Sequence, residues 1–182
     1  MNEIIVREAT IADVADIQRL AHLLVGFEFE RGWAPDIDPQ WAFTQSGVSH
    51  IKRQLTGEDG IVLVAMCDEE VIGFLGGRIR QEERETERET VGGLQGIFVL
   101  PAFRRKRVGT RLIDRFLEWC ELQNLAKSTV AVAPANDAAI ALYERMGFEA
   151  STLILERRSG CAADKDPTRT IPGFARQSRQ VP

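Results

Sequence analysis

Four adjacent cationic side chains, Arg104, Arg105, Lys106 and Arg107, stand just before Val108, Gly109 and Thr110. An apolar run at 94–100 precedes them and stops at Pro101, and an amphipathic repeat starts at Val108. The cluster therefore joins a buried-type strand to the start of a helix. The first N–H groups of a helix have no internal partner, and the helix dipole adds partial positive charge at that end. A turn feeding such a terminus suits an anion, and a glycine lets a bulky phosphate approach the backbone. A diphosphate matches this combination. A basic loop capping an amphipathic helix would show the same residue types, but the placement between strand and helix favours the anion site.

A second group lies about 30 residues downstream. Asn136 has the residue type of a helix N-cap. Ala139 and Tyr143 are one turn apart on a single helix face. A buried phenol can donate a proton, although on periodicity alone Tyr143 reads first as core packing. His22 and His50 are candidate bases by residue type, although both read as ordinary helix residues. Glu82, Glu83, Glu85, Glu87 and Glu89 fall in the charged run 81–90, interleaved with Arg84 and Arg88. That run reads as a solvated hairpin extension. Phe27, Phe29, Trp33 and Trp41 cluster around an irregular stretch, where they either line a binding site or fill a core.

These residues need a scaffold, and the apolar periodicities supply one. Residues 3–7 read as a strand. Val14, Ile17, Leu20, Ala21 and Leu24 recur at helical spacing, with Thr10 or Asp13 as the cap. A second helix is expected over 41–55, ended by Gly57. Residues 61–66 and 71–75 form a hairpin around Asp68-Glu69-Glu70, and the second strand continues through 78–80. Strand 94–100 follows. Val108, Leu112, Ile113, Phe116, Leu117 and Cys120 mark a long amphipathic helix. A strand over 128–132, a helix over 136–146 closed by Gly147, and a last strand over 148–155 complete the order. A domain over 1–158 is expected, with 159–182 as a flexible or weakly packed tail. Meanders mixed with crossover helices mean a mixed sheet in an α/β or α+β domain.

The 182 residues carry a formal net charge of −4, which argues against a general nucleic-acid binder. Cys67, Cys120 and Cys161 show neither metal spacing nor a disulfide framework, so no metal is expected and a reducing, cytoplasmic setting is the simplest reading. No basic, apolar leader opens the chain, and no apolar run is long enough to span a bilayer, so no membrane partner is expected.

The segment Val99-x-Pro101-x-x-Arg104-x-x-Arg107-x-Gly109-Thr110-x-Leu112 resembles the acyl-CoA-binding motif Q/R-x-x-G-x-G/A of the GNAT superfamily of N-acetyltransferases. Arg104 takes its first position and Gly109 its last, while Arg107 replaces the middle glycine. Residues 136–148 are similar to the same family's N-x-x-A-x-x-L-Y-x-x-x-G-F. The resemblance implies a mixed, mostly antiparallel sheet of six to seven strands flanked by about four helices. It also implies transfer of acetyl from acetyl-CoA to a primary amine, on a small molecule or a peptide, by direct attack in a ternary complex. It assigns the pantetheine arm to the strand edge at Ile97, Phe98 and Val99, and the diphosphate to 104–110. Asn136 and Tyr143 complete the cofactor site. Val99 N–H would hold the oxyanion and Tyr143 would protonate the leaving thiolate. Gln95 stands where the family often has a glutamate base. An acyl-CoA-binding module without transferase activity is the alternative, and a homodimer is left open.

Overall fold

The computed structural model describes residues 3–34, 36–57, 59–83 and 88–155. They fall into two compact units, one ending at Ala131 and the other beginning at Val132. The expectation for the tail 159–182 lies outside the described residues.

The first unit is built on a five-stranded sheet in sequential order. Its strands are β1 (Ile4–Glu8), β2 (Gly60–Cys67), β3 (Glu70–Glu83), β4 (Arg88–Val99) and β5 (Ser128–Val130). β1 to β4 pair antiparallel, and β5 joins β4 in parallel. The hairpin between β2 and β3 turns at Asp68, whose φ of 54° falls in a region that aspartate tolerates better than most residues. The charged run continues the ladder outward, with Gln81 opposite Thr90 and Glu82 opposite Glu89.

Three helices belong to this unit: α1 (Val14–Glu30), α2 (Gln45–Thr56) and α3 (Val108–Leu122). Val62, Val64, Val71, Phe74 and Phe98 of the sheet pack with Ile17, Leu20 and Ala21 of α1 and Ile51 of α2. α3 buries Val108, Leu112, Ile113, Phe116 and Cys120, the stripe its spacing predicts. It lies very close to the sheet. A Cβ at Gly77 would stand 2.5 Å from the Phe116 ring, and one at Gly92 would stand 2.4 Å from Cys120 Sγ. These two glycines let α3 sit against β3 and β4 and so fix where its first turn falls.

The expected second helix divides in two. Residues Trp41–Phe43 form a 3-10 turn, and α2 starts only after Thr44, whose Oγ1 accepts from Gly47 N–H at 3.1 Å. The cap restarts the helix where periodicity alone read one continuous element.

The sequence also predicts six to seven strands, and the described residues form five. Residues 148–155 take no strand conformation and pair with no strand. Ile154 and Leu155 are 77 % and 78 % exposed. Their apolar character mimics a buried strand, but a strand requires ladder partners for its peptide groups, and β5 itself pairs over only three residues.

Asp13 anchors the start of α1. It is the one buried charged residue among those described, 6 % exposed. Its Oδ1 and Oδ2 each accept from Arg7 at 2.8 Å, and Oδ2 also accepts from Thr10 N–H at 2.7 Å. The Arg7 bonds hold this carboxyl well below the usual carboxylate range, against the opposing effect of burial. Its contribution is therefore in place above the unfolded carboxyl's value of about 4 and fades as pH falls toward the folded value. Because Arg7 stays partly exposed, Asp13→Ala is expected to cost only about 1.5 kcal/mol at neutral pH, and less as the solution is acidified. Urea unfolding at pH 7 and pH 3 checks this. An equal loss at both values would contradict it.

Candidate active site

The strand order leaves one edge open where β4 ends. Gly76 pairs with Gly96 and Gly77 with Leu94, so Gln95 has no opposite residue and forms a bulge. β5 pairs only with Gly92, Gly93 and Leu94. From Gln95 onward β4 keeps β3 on one side and, among the described residues, no strand on the other. The register then decides which groups face the gap. Leu100 N–H donates to Ile72 O at 2.9 Å. In an antiparallel ladder the next pair, Gly73 and Val99, must then be non-hydrogen-bonded. Val99 turns its N–H and C=O to the open side, and so does Ile97 two residues earlier. Phe98, between them, spends its backbone groups on Phe74 and buries its ring in the core.

The open edge leads into the basic turn. A 3-10 turn at Pro101–Phe103 follows β4, and α3 begins at Val108. Arg111 N–H donates to Arg107 O at 3.1 Å. The amides of Val108, Gly109 and Thr110 stand ahead of it, in the first turn, where no helical acceptor is available. Val108 is 1 % exposed and pins that turn to the core. Arg105, Lys106 and Arg107 are exposed around it.

The family's middle glycine is explained by the backbone. Arg107 has φ 62° and ψ 13°, and Arg105 has φ 64°. A helical conformation at 107 would have suited arginine; the left-handed one costs an L-residue roughly 1–2 kcal/mol. Arg107→Gly is therefore expected to stabilise the fold by about 0.5–1 kcal/mol, the glycine's unfolded-state entropy offsetting part of the relief. A thermal melt showing a lower Tm would contradict this.

Arg104 turns back toward the strand. Its Nε donates to Val99 O at 3.0 Å, and its guanidinium lies 5.4 Å from the centres of both the Phe27 and Phe98 rings. Burial, and secondarily Arg31, pushes its pKa down. Arg31 covers the same Phe27 ring at 3.6 Å. Trp33 meets Phe27 edge-on at 5.7 Å, and Trp41 meets His50 at 5.4 Å, while Phe29 is exposed. The sequence-predicted aromatic group is thus split between two places.

In the second unit, α4 spans Asp137–Arg145. Asn136 caps it, with Oδ1 accepting from Ala139 N–H at 3.2 Å. Tyr143 is 7 % exposed, and its ring meets Phe148 at 5.7 Å. Gly147 follows at φ 85°, as its C-terminal position requires.

The candidate bases separate by their partners. Glu82 and Glu89 both bind Lys127 Nζ at 3.2 Å, while Glu85, Glu87 and the Glu83 side chain lie outside the described residues. His22 Nδ1 is 2.7 Å from Pro39 O, so that nitrogen carries the proton and is occupied. Burial, then Arg53 and Arg78, pushes His50 down. Gln95 is exposed, and its Oε1 accepts from Gln54 of α2. Sequence reading passed over Glu28 on α1. It is half-buried, makes no hydrogen bond or ion pair with a described side chain, and has its pKa raised by burial. The signal was present: position 28 continues the repeat 17, 20, 21, 24 with an acid where an apolar residue is due. No three His, Cys, Asp or Glu side chains among the described residues are grouped to hold a metal, and no helix among them is long and apolar enough to cross a membrane.

Known proteins with similar sequences and folds bear on this geometry. The pattern of the Acetyltransferase (GNAT) family matches residues 20–148. An aminoglycoside N(6')-acetyltransferase type 1 of Acinetobacter haemolyticus is 33% identical over 111 residues, covering 59% of this chain and 77% of its own. One from Acinetobacter genomosp. 13 is 28% identical over 156 residues, 81% of this chain and 90% of its own. Among solved structures, an aminoglycoside N-acetyltransferase in complex with CoA superposes with a TM-score of 0.71 at 22% identity, over 88% of this chain and 97% of that one.

Proposed function

This chain belongs to the GNAT family of acetyltransferases, and from that premise we propose that it transfers acetyl from acetyl-CoA to a primary amine by direct attack in a ternary complex. One observation carries the reading. The edge of β4 that is open from Gln95 ends at the uncapped amides of Val108, Gly109 and Thr110. An extended amide-bearing arm joined to a diphosphate needs a strand edge followed by an anion site, in that order, and the residues present fit it.

The cofactor supplies an acetyl thioester. Ile97 would align the arm through its outward N–H and C=O groups, and Val99, whose C=O already accepts from Arg104, through its N–H at the thioester end. Val108, Gly109 and Thr110 would donate to the diphosphate, with Arg105, Lys106 and Arg107 adding charge. Val99 N–H, held by its strand and facing the open side, would donate to the thioester oxygen as negative charge develops there, without reorganising. Phe98 and Val108 hold these groups from the core. Asn136 fixes the start of α4, and the motif assigns Tyr143 on that helix the role of proton donor, in which its hydroxyl would supply a proton to the departing sulfur. The acceptor is a small-molecule or peptide amine. The aminoglycoside acetyltransferase relatives make neamine a reasonable first probe.

A binding module without transfer is the second reading, favoured by Gln95 where a carboxylate base is often found. A thermal-shift titration with acetyl-CoA, followed by a thiol-release assay over a panel of amines, separates the two. Stabilisation with thiol release supports the transferase. Stabilisation with no release from any amine supports the module. No stabilisation contradicts both.

A further inference from the structure

α1 crosses the sheet on a line that three contacts trace. Arg19 Nη2 donates to Val71 O at 2.9 Å, near the start of β3. A Cβ on Gly96 of β4 would stand 3.2 Å from Leu24 Cδ2. Phe27 then meets the Arg104 that binds the last carbonyl of β4. The helix thus runs from β3 to β4. Glu28 lies four residues beyond Leu24, one further turn, or about 6 Å, along the axis. That turn carries the core-facing stripe beyond the Leu24–Gly96 contact, to the end of α1 where Phe27 meets Arg104. The same stripe bears Ile17, Leu20 and Ala21, all buried, and Glu28, which continues it, is half-buried.

We propose that Glu28 is the general base of the transfer, the carboxylate that Gln95 does not supply; this rests on the acetyltransferase reading above. An alkylamine near neutral pH is an ammonium, with a pKa of about 10. Glu28 accepts one of its protons, directly or through one water. The freed lone pair forms the C–N bond to the acyl carbon while the oxyanion meets Val99 N–H. The C–S bond breaks with its electron pair on sulfur. The nitrogen then gives up its second proton and the sulfur gains one, leaving an acetamide and a thiol. Burial without an ion-pair partner among the described residues suits this role, since it disfavours the charged carboxylate and pushes its pKa up. The charged groups beside this end of α1 include, among the described residues, Glu30 at its last position, Arg31 at its C-cap and Arg104 on the turn, both arginines over Phe27. β4 adds none between Gln95 and Val99. The pKa of His50 on α2 is pushed down, chiefly by burial and then by Arg53 and Arg78.

The test compares wild type with Glu28→Gln and Glu28→Asp. Acetyl-CoA affinity is read by calorimetry, and turnover by thiol release with neamine, n-butylamine and lysine methyl ester. Glu28→Gln is expected to lower kcat between ~10- and ~100-fold, to leave acetyl-CoA affinity within twofold, and to remove the acidic limb of the kcat/KM profile. Glu28→Asp is expected to recover part of the rate. A second readout needs no cofactor. Because the folded carboxyl has the higher pKa, its charged form costs stability at neutral pH, so Glu28→Gln should raise Tm at pH 7 and match wild type near pH 4, about where the unfolded carboxyl titrates. Full kcat with the acidic limb retained in Glu28→Gln, or a Tm that falls at pH 7, overturns the proposal while leaving the acetyltransferase reading standing. A wild type that binds no acetyl-CoA, or binds it and acetylates none of the three amines, overturns both.

Discussion

Gly109→Val is expected to weaken acetyl-CoA binding at least ~1,000-fold, about 4 kcal/mol, while the fold stays intact. Position 109 is the second residue of α3. Its amide is one of three that point out of the helix start with no helical acceptor. A diphosphate bound there must come within hydrogen-bond distance of adjacent backbone N–H groups, so it lies against Cα. A branched side chain at 109 would occupy that space, and the diphosphate would lose several charge-assisted bonds together. The helix itself tolerates the change, since valine is a better helix residue than glycine. Isothermal calorimetry measures the affinity, and circular dichroism reports the fold. Unchanged affinity with a native spectrum would move the diphosphate elsewhere on the molecule.

Tyr143→Phe is expected to lower kcat about 100-fold and to leave KM for acetyl-CoA nearly unchanged. The substitution keeps the ring, and with it the packing against Phe148, and removes only the hydroxyl. If that hydroxyl delivers a proton to the leaving sulfur, its loss is felt in the transition state and not in the ground state. A KM that rises while kcat holds would make Tyr143 a binding residue. No change in either would return it to the core. Thioester analogues with more acidic thiols sharpen the result, because a better leaving group needs the proton less and should narrow the gap between variant and wild type.

Legibility in the sequence followed how local each determinant is. The cap at Asn136, the stop at Gly147 and the buried stripe of α3 each depend on residues within a few positions, and the structure places them as read. The basic turn was legible for the same reason: Pro101 ends one element and Val108 begins the next. Features set by partners distant in sequence were not. Nothing around Gln95 announces a bulge; it arises because Gly76 and Gly77 pair with Gly96 and Leu94. The run at 148–155 has strand-like composition, yet whether it pairs depends on an edge that local pattern does not describe. Arg107 shows a third kind of limit. Residue type argued against a left-handed conformation there, and the turn imposes one. Glu28 breaks an apolar repeat, which is a local signal. Its meaning emerges only when α1 is laid across β4.

The most direct measurement is an amide-resolved NMR titration of the 15N-labelled protein with coenzyme A. Donation to a diphosphate predicts downfield proton shifts at Val108, Gly109 and Thr110 that saturate together, accompanied by Ile97 and Val99 as the arm pairs with the open edge. Saturable binding whose largest shifts lie away from residues 97–110, with the first amides of α3 unmoved, would contradict the account.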